Sequence, residues 1–376
     1  MAGRWRVRAV VAGVVAVCVL GVGGCAGGDA DAKAAARPSV APVATVIGVW
    51  QAQQVFDRYV AARGAAVAGL DADGFARVET GPLLAESLAV IEARRKRKAD
   101  WEAGVFRRPE FLIPAERDQP GYPRTFVALS RGDSPIDNPR ARAVHYFVQE
   151  AAGAEWKAAV LSWVYDTPRK AGVFEDNAGA LHGYDVRPRE VAAFVRGAGG
   201  EAALSPRADA DREVCGRYAE WMSFTAPEGR TESADFVPGP LTSGVVEAAN
   251  AAAGGNWRIV TREQAFAPAA GGVELPVVRL ADGKALVTCA FTRTDRWTGD
   301  RSVTFPQGGV GSHADVEVLL GAGEAPQSGG ESRRWRRTTV RWSVTVTLEV
   351  PERGPAEAVA CNCLRPRPLS AEGDPE

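Results

Sequence analysis

Cys25 has the most informative surroundings of any reactive residue in this 376-residue sequence. It follows an uncharged run, residues 9–24, that is preceded by three arginines, Arg4, Arg6 and Arg8. A charged start followed by an apolar run is typical of a secretory signal. As a helix, a run of this length reaches only about 24 Å, less than a hydrocarbon core of roughly 30 Å. We therefore expect residues 1–24 to be a signal peptide, and the question is what the Cys25 thiol does.

The junction Val22-Gly23-Gly24-Cys25 resembles the lipobox of bacterial lipoproteins, in which one aliphatic and two small residues precede an invariant cysteine. Val22 stands where that family prefers leucine. The resemblance implies that the Cys25 thiol carries a diacylglyceryl group and that the peptide is cleaved after Gly24. Two or three acyl chains anchor a protein stably, because each buried CH₂ contributes about 0.8 kcal/mol. Membrane lipid, attached through Cys25, is thus the first expected partner.

The other cysteines predict disulfide bonds. Once Cys25 is lipidated and Cys18 is removed with the signal, an even number remains: Cys215, Cys289, Cys361 and Cys363. Cys361 and Cys363 lie two apart on a predicted strand, where a direct bond is strained, so each is expected to pair with Cys289 or Cys215. A soft-metal site and free thiols are the alternatives. No histidine lies near in sequence, so we assign neither a metal ligand nor a cofactor.

No motif marks a catalytic site. Ser312, His313 and Asp315 are the residue types of a hydrolase triad, but neighbours along the chain cannot easily align hydroxyl, imidazole and carboxylate. The sequence has no nucleophile elbow, no HExxH and no phosphate-binding loop. His145 lies in a strand-like run and is expected to be structural. We assign no catalytic residue and favour a protein that is not an enzyme.

The stretch 333–337, RRWRR, contains the candidate ligand contacts. If the strand predicted at 338–350 extends back without a bulge, Trp335 falls on its polar face between Arg333 and Arg337. An exposed indole between arginines can stack on a sugar or a base while the arginines bind its phosphate. The alternative is a charged edge strand that resists pairing with another sheet.

Two blocks of helices followed by strands must position these residues. The first block has helical spacing at 48–68 and 82–98, with Pro82 suited to a first turn, and strand-like runs at 110–114, 125–130, 143–150 and 157–165. The second has helical patterns at 212–223 and 239–252 and strand-like runs at 257–266, 275–280, 284–293, 338–350 and 357–364. The strict alternation over 338–350 predicts one face on a core and the other in water.

This order predicts an α+β fold of two related units, each with N-terminal helices packed on a curved antiparallel sheet. A Gly-Pro-Leu at both 81–83 and 239–241 supports the relation. The architecture resembles the cone-shaped folds of the cystatin and nuclear-transport-factor-two classes, which imply no particular activity. We divide the chain into a signal peptide (1–24), lipidated cysteine and tether (25–46), first unit (47–165), linker with a short helix near 189–196 (166–211), second unit (212–366) and disordered tail (367–376).

Charge and composition complete the prediction. The formal net charge of −1 becomes −4 without the signal, too near neutral for a nucleic-acid partner. Arginine outnumbers lysine 39 to 6, typical of a GC-rich genome, so we expect an actinomycete-like lipoprotein on the outer face of the cell membrane. We predict that it binds a cell-wall component or an envelope protein. The alternatives are an envelope enzyme or small-molecule pocket protein with a cone-like cavity, and a structural stalk.

Overall fold

The first half of the chain places three helices on a four-stranded antiparallel sheet. The computed structural model describes residues 43–101, 103–132, 141–165, 172–175, 181–184, 192–254, 261–303, 312–321, 335–362 and 366–375. The helices are α1 (Val49–Gly69), α2 (Ala72–Val78) and α3 (Gly81–Arg97). The strands pair in chain order: β1 (Phe106–Leu112), β2 (Arg124–Gly132), β3 (Ala141–Gln149) and β4 (Lys157–Tyr165).

Both long helices of this half lie where their spacing predicts them. Helix α1 buries Val55, Phe56 and Tyr59 of its periodic residues, whereas Val49 is exposed; in α3, Ile91 is buried and Leu88 is exposed. Helix α3 has Pro82 in its first turn and four basic residues in its last turn, where they complement the helix dipole. The short α2 between them was not predicted, because seven residues carry too little periodicity.

The first sheet is buried on both faces. Phe126 of β2 shares a core cluster with Phe56 and Tyr59 of α1. The next residue, Val127, belongs to a different cluster that contains Leu275 and other residues of the second half. This double burial explains why residues 125–130 read as a continuous apolar run. Because one core cluster joins both halves, the described residues form one compact unit.

The second half repeats the combination of helices on an antiparallel sheet. Its helices are α4 (Ala208–Trp221), α5 (Ser243–Gly254) and α6 (Ser312–Leu319). Its strands are β7 (Phe224–Ala226), β8 (Thr261–Pro268), β9 (Val278–Arg279), β10 (Ala285–Val303), β11 (Trp335–Val350), β12 (Glu357–Cys361) and β13 (Arg367–Pro375). They form one sheet in the order β12-β11-β10-β8-β7, in which β9 also pairs with β10 and β13 with β11. The predicted α+β class is confirmed, and the two curled sheets are consistent with two units.

The segment between the halves differs from its prediction. It contains a hairpin, β5 (Gly172–Glu175) and β6 (Leu181–Tyr184). The prediction of a helix near 189–196 is wrong for residues 192–196, which the structure describes. There the backbone is extended and binds another segment, since the amide of Val195 donates to the carbonyl of Arg279 at 3.0 Å.

The chain segments at both ends of the described unit are paired. We expected a disordered tail at 367–376, but β13 lies antiparallel to β11, with Ala371 opposite Val340. Strand β12 covers only the other end of β11, which leaves this edge open for β13. At the N-terminal end, the last residues of the expected tether are also held, because the amide of Val46 donates to the carbonyl of Pro114 at 3.2 Å.

The polar face of β11 does not meet water along its second half. Thr345, Thr347 and Glu349 are no more than 5% exposed, because this face packs towards the first sheet. The hydroxyl of Thr347 lies 2.8 Å from that of Ser162 in β4 and 2.9 Å from that of Thr288 in β10. The expectation of one solvent-facing side is therefore wrong here: hydrogen bonds between hydroxyl groups replace water.

Candidate functional site

The predicted Arg/Trp contact does not exist as an exposed surface. Trp335 is 3% exposed, whereas Arg337 is exposed and Arg333 lies outside the described residues. The pairing of β11 with β13 shifts register between Trp335 and Arg337, so a bulge turns the indole inward. Gly373 makes room for it: a Cβ there would lie 2.6 Å from Trp335 Cε3. The prediction failed because it assumed a strand without a bulge.

The cysteines are paired differently from the prediction. Cys215 of α4 and Cys289 of β10 form a disulfide with each other. This excludes the expected bonds from Cys361 and Cys363 to these two residues. Cys361 is disulfide-bonded as well. Cys363, like Cys25 and Gly24, lies outside the described residues.

The acid of the sequence-adjacent triad serves the fold. Ser312, His313 and Asp315 lie on the single helix α6. The carboxylate of Asp315 is fully buried and accepts a hydrogen bond at 2.7 Å from Arg97, the last residue of α3. Asp315 therefore fixes α6 to α3. Arg97 is also one of the basic residues that end α3, so that basic run is partly used for packing.

A buried acid lies under the helices of the first half. Glu79, directly after α2, is 0% exposed, and its Oε1 accepts a hydrogen bond at 3.1 Å from Nε of Arg63. Burial raises the pKa of the Glu79 carboxyl to about 7, although the guanidinium opposes the shift. The same interior lowers the pKa of the His145 imidazole to about 3, chiefly by desolvation, so this histidine is neutral.

Sequence reasoning missed this acid, because nothing local marks Glu79 as buried. Three buried atoms in this region have no hydrogen-bond partner in the part of the chain that the structure describes: Tyr59 Oη, Glu79 Oε2 and His145 Nδ1. The second imidazole nitrogen, Nε2, lies 3.0 Å from the hydroxyl of Ser130. A carboxyl that titrates near neutrality can donate or accept a proton at physiological pH. We call Tyr59, Arg63, Glu79 and His145 the interior polar cluster.

An open cleft of about 640 Å³ lies beside α1, and we call it the α1 cleft. Its walls are one side of α1, Val46 and Ile47 before the N-cap of that helix, the start of β2, and the turn between β3 and β4. Tyr122 and Trp156 provide its aromatic surface. Arg124 and Gln149, which pair across β2 and β3, place it at the end of the first sheet.

The charged groups of the α1 cleft are matched. Arg58 of α1 forms an ion pair of 2.6 Å with Glu155 of the β3–β4 turn. Arg124 forms one of 2.6 Å with Glu116, and its guanidinium lies 4.9 Å from the ring centre of Tyr122. Glu116 does not line the cleft, so the lining presents two guanidinium groups and one carboxylate, and each guanidinium is paired within the protein.

Three glutamines give the cleft its uncommitted hydrogen-bonding groups. Gln54 makes no hydrogen bond to any other residue that the structure describes. Gln51 accepts one from the amide of Gly48 at 3.1 Å, which leaves its NH₂ group. Gln149 donates one to the carbonyl of Ala154 at 2.8 Å, which leaves its carbonyl oxygen. Both donors and acceptors thus face one cleft.

A second cleft, of about 360 Å³, lies between α4 and β10. The Cys215–Cys289 disulfide forms part of its wall, together with Val277, Val287 and Phe291. This lining is mainly apolar and offers few groups for specific recognition. Neither cleft is lined by Tyr59, Glu79 or His145, so the interior polar cluster lies apart from both.

One comparison with known proteins gives a match, over the part of the chain that contains the first sheet. Residues 43–179 match the family model of a domain of unknown function, DUF8094. No curated protein and no solved structure gives a significant match. The α1 cleft lies wholly within the matched segment, since its lining runs from Val46 to Trp156. The cleft is therefore a property of the part of the chain that the family model describes.

Two further observations limit what the described residues contain. None of their helices is both long enough and apolar enough to cross a bilayer. None of their histidines, cysteines, aspartates and glutamates gather in a group of three that would hold a metal ion.

Proposed function

We propose that this protein is a lipid-anchored extracytoplasmic binding protein that holds an envelope component in the α1 cleft. The observation that carries the proposal is the cleft itself: aromatic rings, free amides and matched charges converge within the DUF8094 match. Its volume lies within the roughly 300–1,000 Å³ of small-molecule sites. The polar groups that line the cleft would orient the ligand, and the aromatic rings would provide area for contact with it.

The anchor is supported by the sequence around Cys25. Residues 26–42 are mostly small and include two prolines, and a flexible chain of 17 residues spans roughly 23 Å. Val46 and Ile47, shortly after this segment, line the α1 cleft. An acylated Cys25 would therefore hold the cleft close to the outer face of the membrane.

Metabolic labelling tests the anchor. Cells grown with radiolabelled palmitate should label the wild-type protein and the Cys18→Ser variant, whereas Cys25→Ser should remain unlabelled and retain its signal. Cys18→Ser is the matched control, because it removes a thiol from the apolar run without touching the lipobox. A wild-type protein that carries no label would contradict the anchor.

An envelope enzyme is the second candidate function, and the interior polar cluster favours it. Glu79 is buried with a pKa near neutrality, beside Tyr59 and Arg63. Perturbed buried groups of this kind mark catalytic sites and structural ion pairs alike. Thermal-shift screening of envelope small molecules separates the two functions: a ligand of the cluster loses its shift in Glu79→Gln, and a ligand of the α1 cleft loses its shift in Gln54→Ala.

A further inference from the structure

We infer that the α1 cleft takes a neutral oligosaccharide, an inference that rests on the proposed function of the cleft. The first argument is charge. Arg58 is matched by Glu155, and Arg124 by Glu116. A phosphate or carboxylate ligand is bound most strongly where guanidinium groups are free to form bidentate, charge-assisted hydrogen bonds with it. A neutral ligand leaves both ion pairs in place.

The second argument is the type of free polar group. The NH₂ group of Gln51, the carbonyl oxygen of Gln149 and the whole amide of Gln54 have no partner among the described residues. An amide both donates and accepts, as does a hydroxyl group. A ligand rich in hydroxyl groups satisfies such a set, whereas an acyl chain would bury these amides unpaired at a cost of about 1–3 kcal/mol each.

The third argument is the aromatic surface. Trp156 is half-buried, and its ring meets that of Phe126 edge-on at 5.0 Å, which holds the indole in place. Tyr122 is 41% exposed beside the guanidinium of Arg124. Rings held in this way give a rigid apolar surface next to polar groups. The C–H face of a pyranose matches it, while the ring hydroxyls reach the amides.

The position of the cleft argues against a peptide bound as an added strand. Such a peptide needs a free strand edge with unpaired amide and carbonyl groups. The cleft lies instead at the end of two central strands, at the first residue of β2 and the last residue of β3, which are paired with each other. Recognition there depends on side chains.

Titration of the full-length protein in detergent micelles tests the inference. The probes are the tetrasaccharides of glucose, mannose and N-acetylglucosamine, with inositol hexakisphosphate as the anionic probe, and calorimetry gives Kd. We expect at least one tetrasaccharide to bind with Kd below about 1 mM, with little change in 0.5 M NaCl, because a neutral ligand makes no screened ion pair.

The matched variants lie on the same helix. Gln54→Ala should weaken that binding about tenfold, because one or two hydrogen bonds are lost. Gln53→Ala should leave it unchanged, since Gln53 bonds to Asp57 and does not line the cleft. The inference is overturned if no tetrasaccharide binds, if Gln54→Ala binds as tightly as wild type, or if only the phosphate probe binds. Palmitate labelling is independent of these results, so the anchor and the ligand class fail separately.

Discussion

The hydroxyl of Tyr146 in β3 donates a hydrogen bond of 2.7 Å to Thr288 Oγ1 in β10, and so joins the two sheets. The chain of hydroxyl groups continues from Thr288 to Thr347 and Ser162, and all four residues are buried. The two halves of the molecule are therefore connected through polar groups inside their shared interface. Such groups stabilise only while each keeps its partner.

Thr288→Val should lower the free energy of unfolding by about 1–3 kcal/mol, because it leaves the Tyr146 hydroxyl buried without an acceptor. Urea denaturation measures the change. Thr294→Val, on the same strand and half-buried, is the control and should stay within about 0.5 kcal/mol of wild type. The double variant Tyr146→Phe/Thr288→Val should lose less than the sum of the single changes, since no hydroxyl of this pair remains. Additive losses would contradict the coupling.

The buried carboxyl of Glu79 predicts a pH-dependent difference between wild type and Glu79→Gln. Its pKa is about 7 in the folded protein, above the ordinary glutamate value of 4.5, so the folded state retains a proton that the unfolded state releases. The contribution of this retained proton to the free energy of unfolding is complete below about pH 4.5, and it is lost as the pH rises towards 7. Over this pH range, the free energy of unfolding of the wild type should fall by on the order of 3 kcal/mol relative to that of the variant.

Urea unfolding of both proteins at pH 4.5, 6 and 7.5 measures that difference. His145, whose pKa is lowered to about 3, is present in both and cancels. A difference that does not vary with pH would show that the Glu79 carboxyl titrates normally. Above pH 7 the difference should level off, because Glu79 is then ionised in both states.

The Cys215–Cys289 disulfide closes a loop with a sequence separation of 74. Constraint of the unfolded chain by a loop of this length predicts about 4 kcal/mol of stabilisation. The variant Cys215→Ala/Cys289→Ala should lose that amount in urea denaturation. Reduction is a poorer test, because Cys361 is also disulfide-bonded. A double variant as stable as wild type would mean that the bond does not contribute to the fold.

Gly373 should tolerate no side chain. A Cβ there would approach Trp335 Cε3 to 2.6 Å and Leu320 Cδ2 to 3.0 Å, so Gly373→Ala should cost about 1–3 kcal/mol. Gly216→Ala is the control: Gly216 lies exposed in α4, where an added Cβ would meet no atom from outside the helix backbone within 4 Å, and the change should stabilise by up to about 1 kcal/mol. Calorimetric melting temperatures of both variants give the direction of each change in stability. Equal melting temperatures would contradict the inward position of Trp335.

The local sequence patterns predicted the helices and strands well, but they predicted poorly which side chains are exposed. Strand β4 (Lys157–Tyr165) has the bounds that its apolar run predicts, and α1 and α3 lie where their spacing predicts helices. Trp335 could not be placed, because its bulge depends on β13 and on Gly373, both distant in sequence. The alternation in β11 predicts that Thr347 faces solvent, but this residue is buried against the other sheet.

The α1 cleft escaped prediction for the same reason. Gln54, Arg124 and Glu155 are ordinary surface residue types, and no spacing connects them along the chain. They meet because α1 packs across the end of β2 and β3 and the β3–β4 turn reaches back to it. Only the tertiary packing, which the sequence pattern does not encode locally, brings these groups into one site.

Photocrosslinking in native membranes tests the central claim, that the α1 cleft binds an envelope component at the membrane. A photoreactive phenylalanine analogue, which keeps an aromatic ring, replaces Tyr122 in the cleft or, as the control, the exposed Asp209 of α4. The account predicts a crosslinked adduct from position 122 that an excess of wild-type protein suppresses, and none from position 209. No adduct from position 122, or equal adducts from both positions, would contradict it.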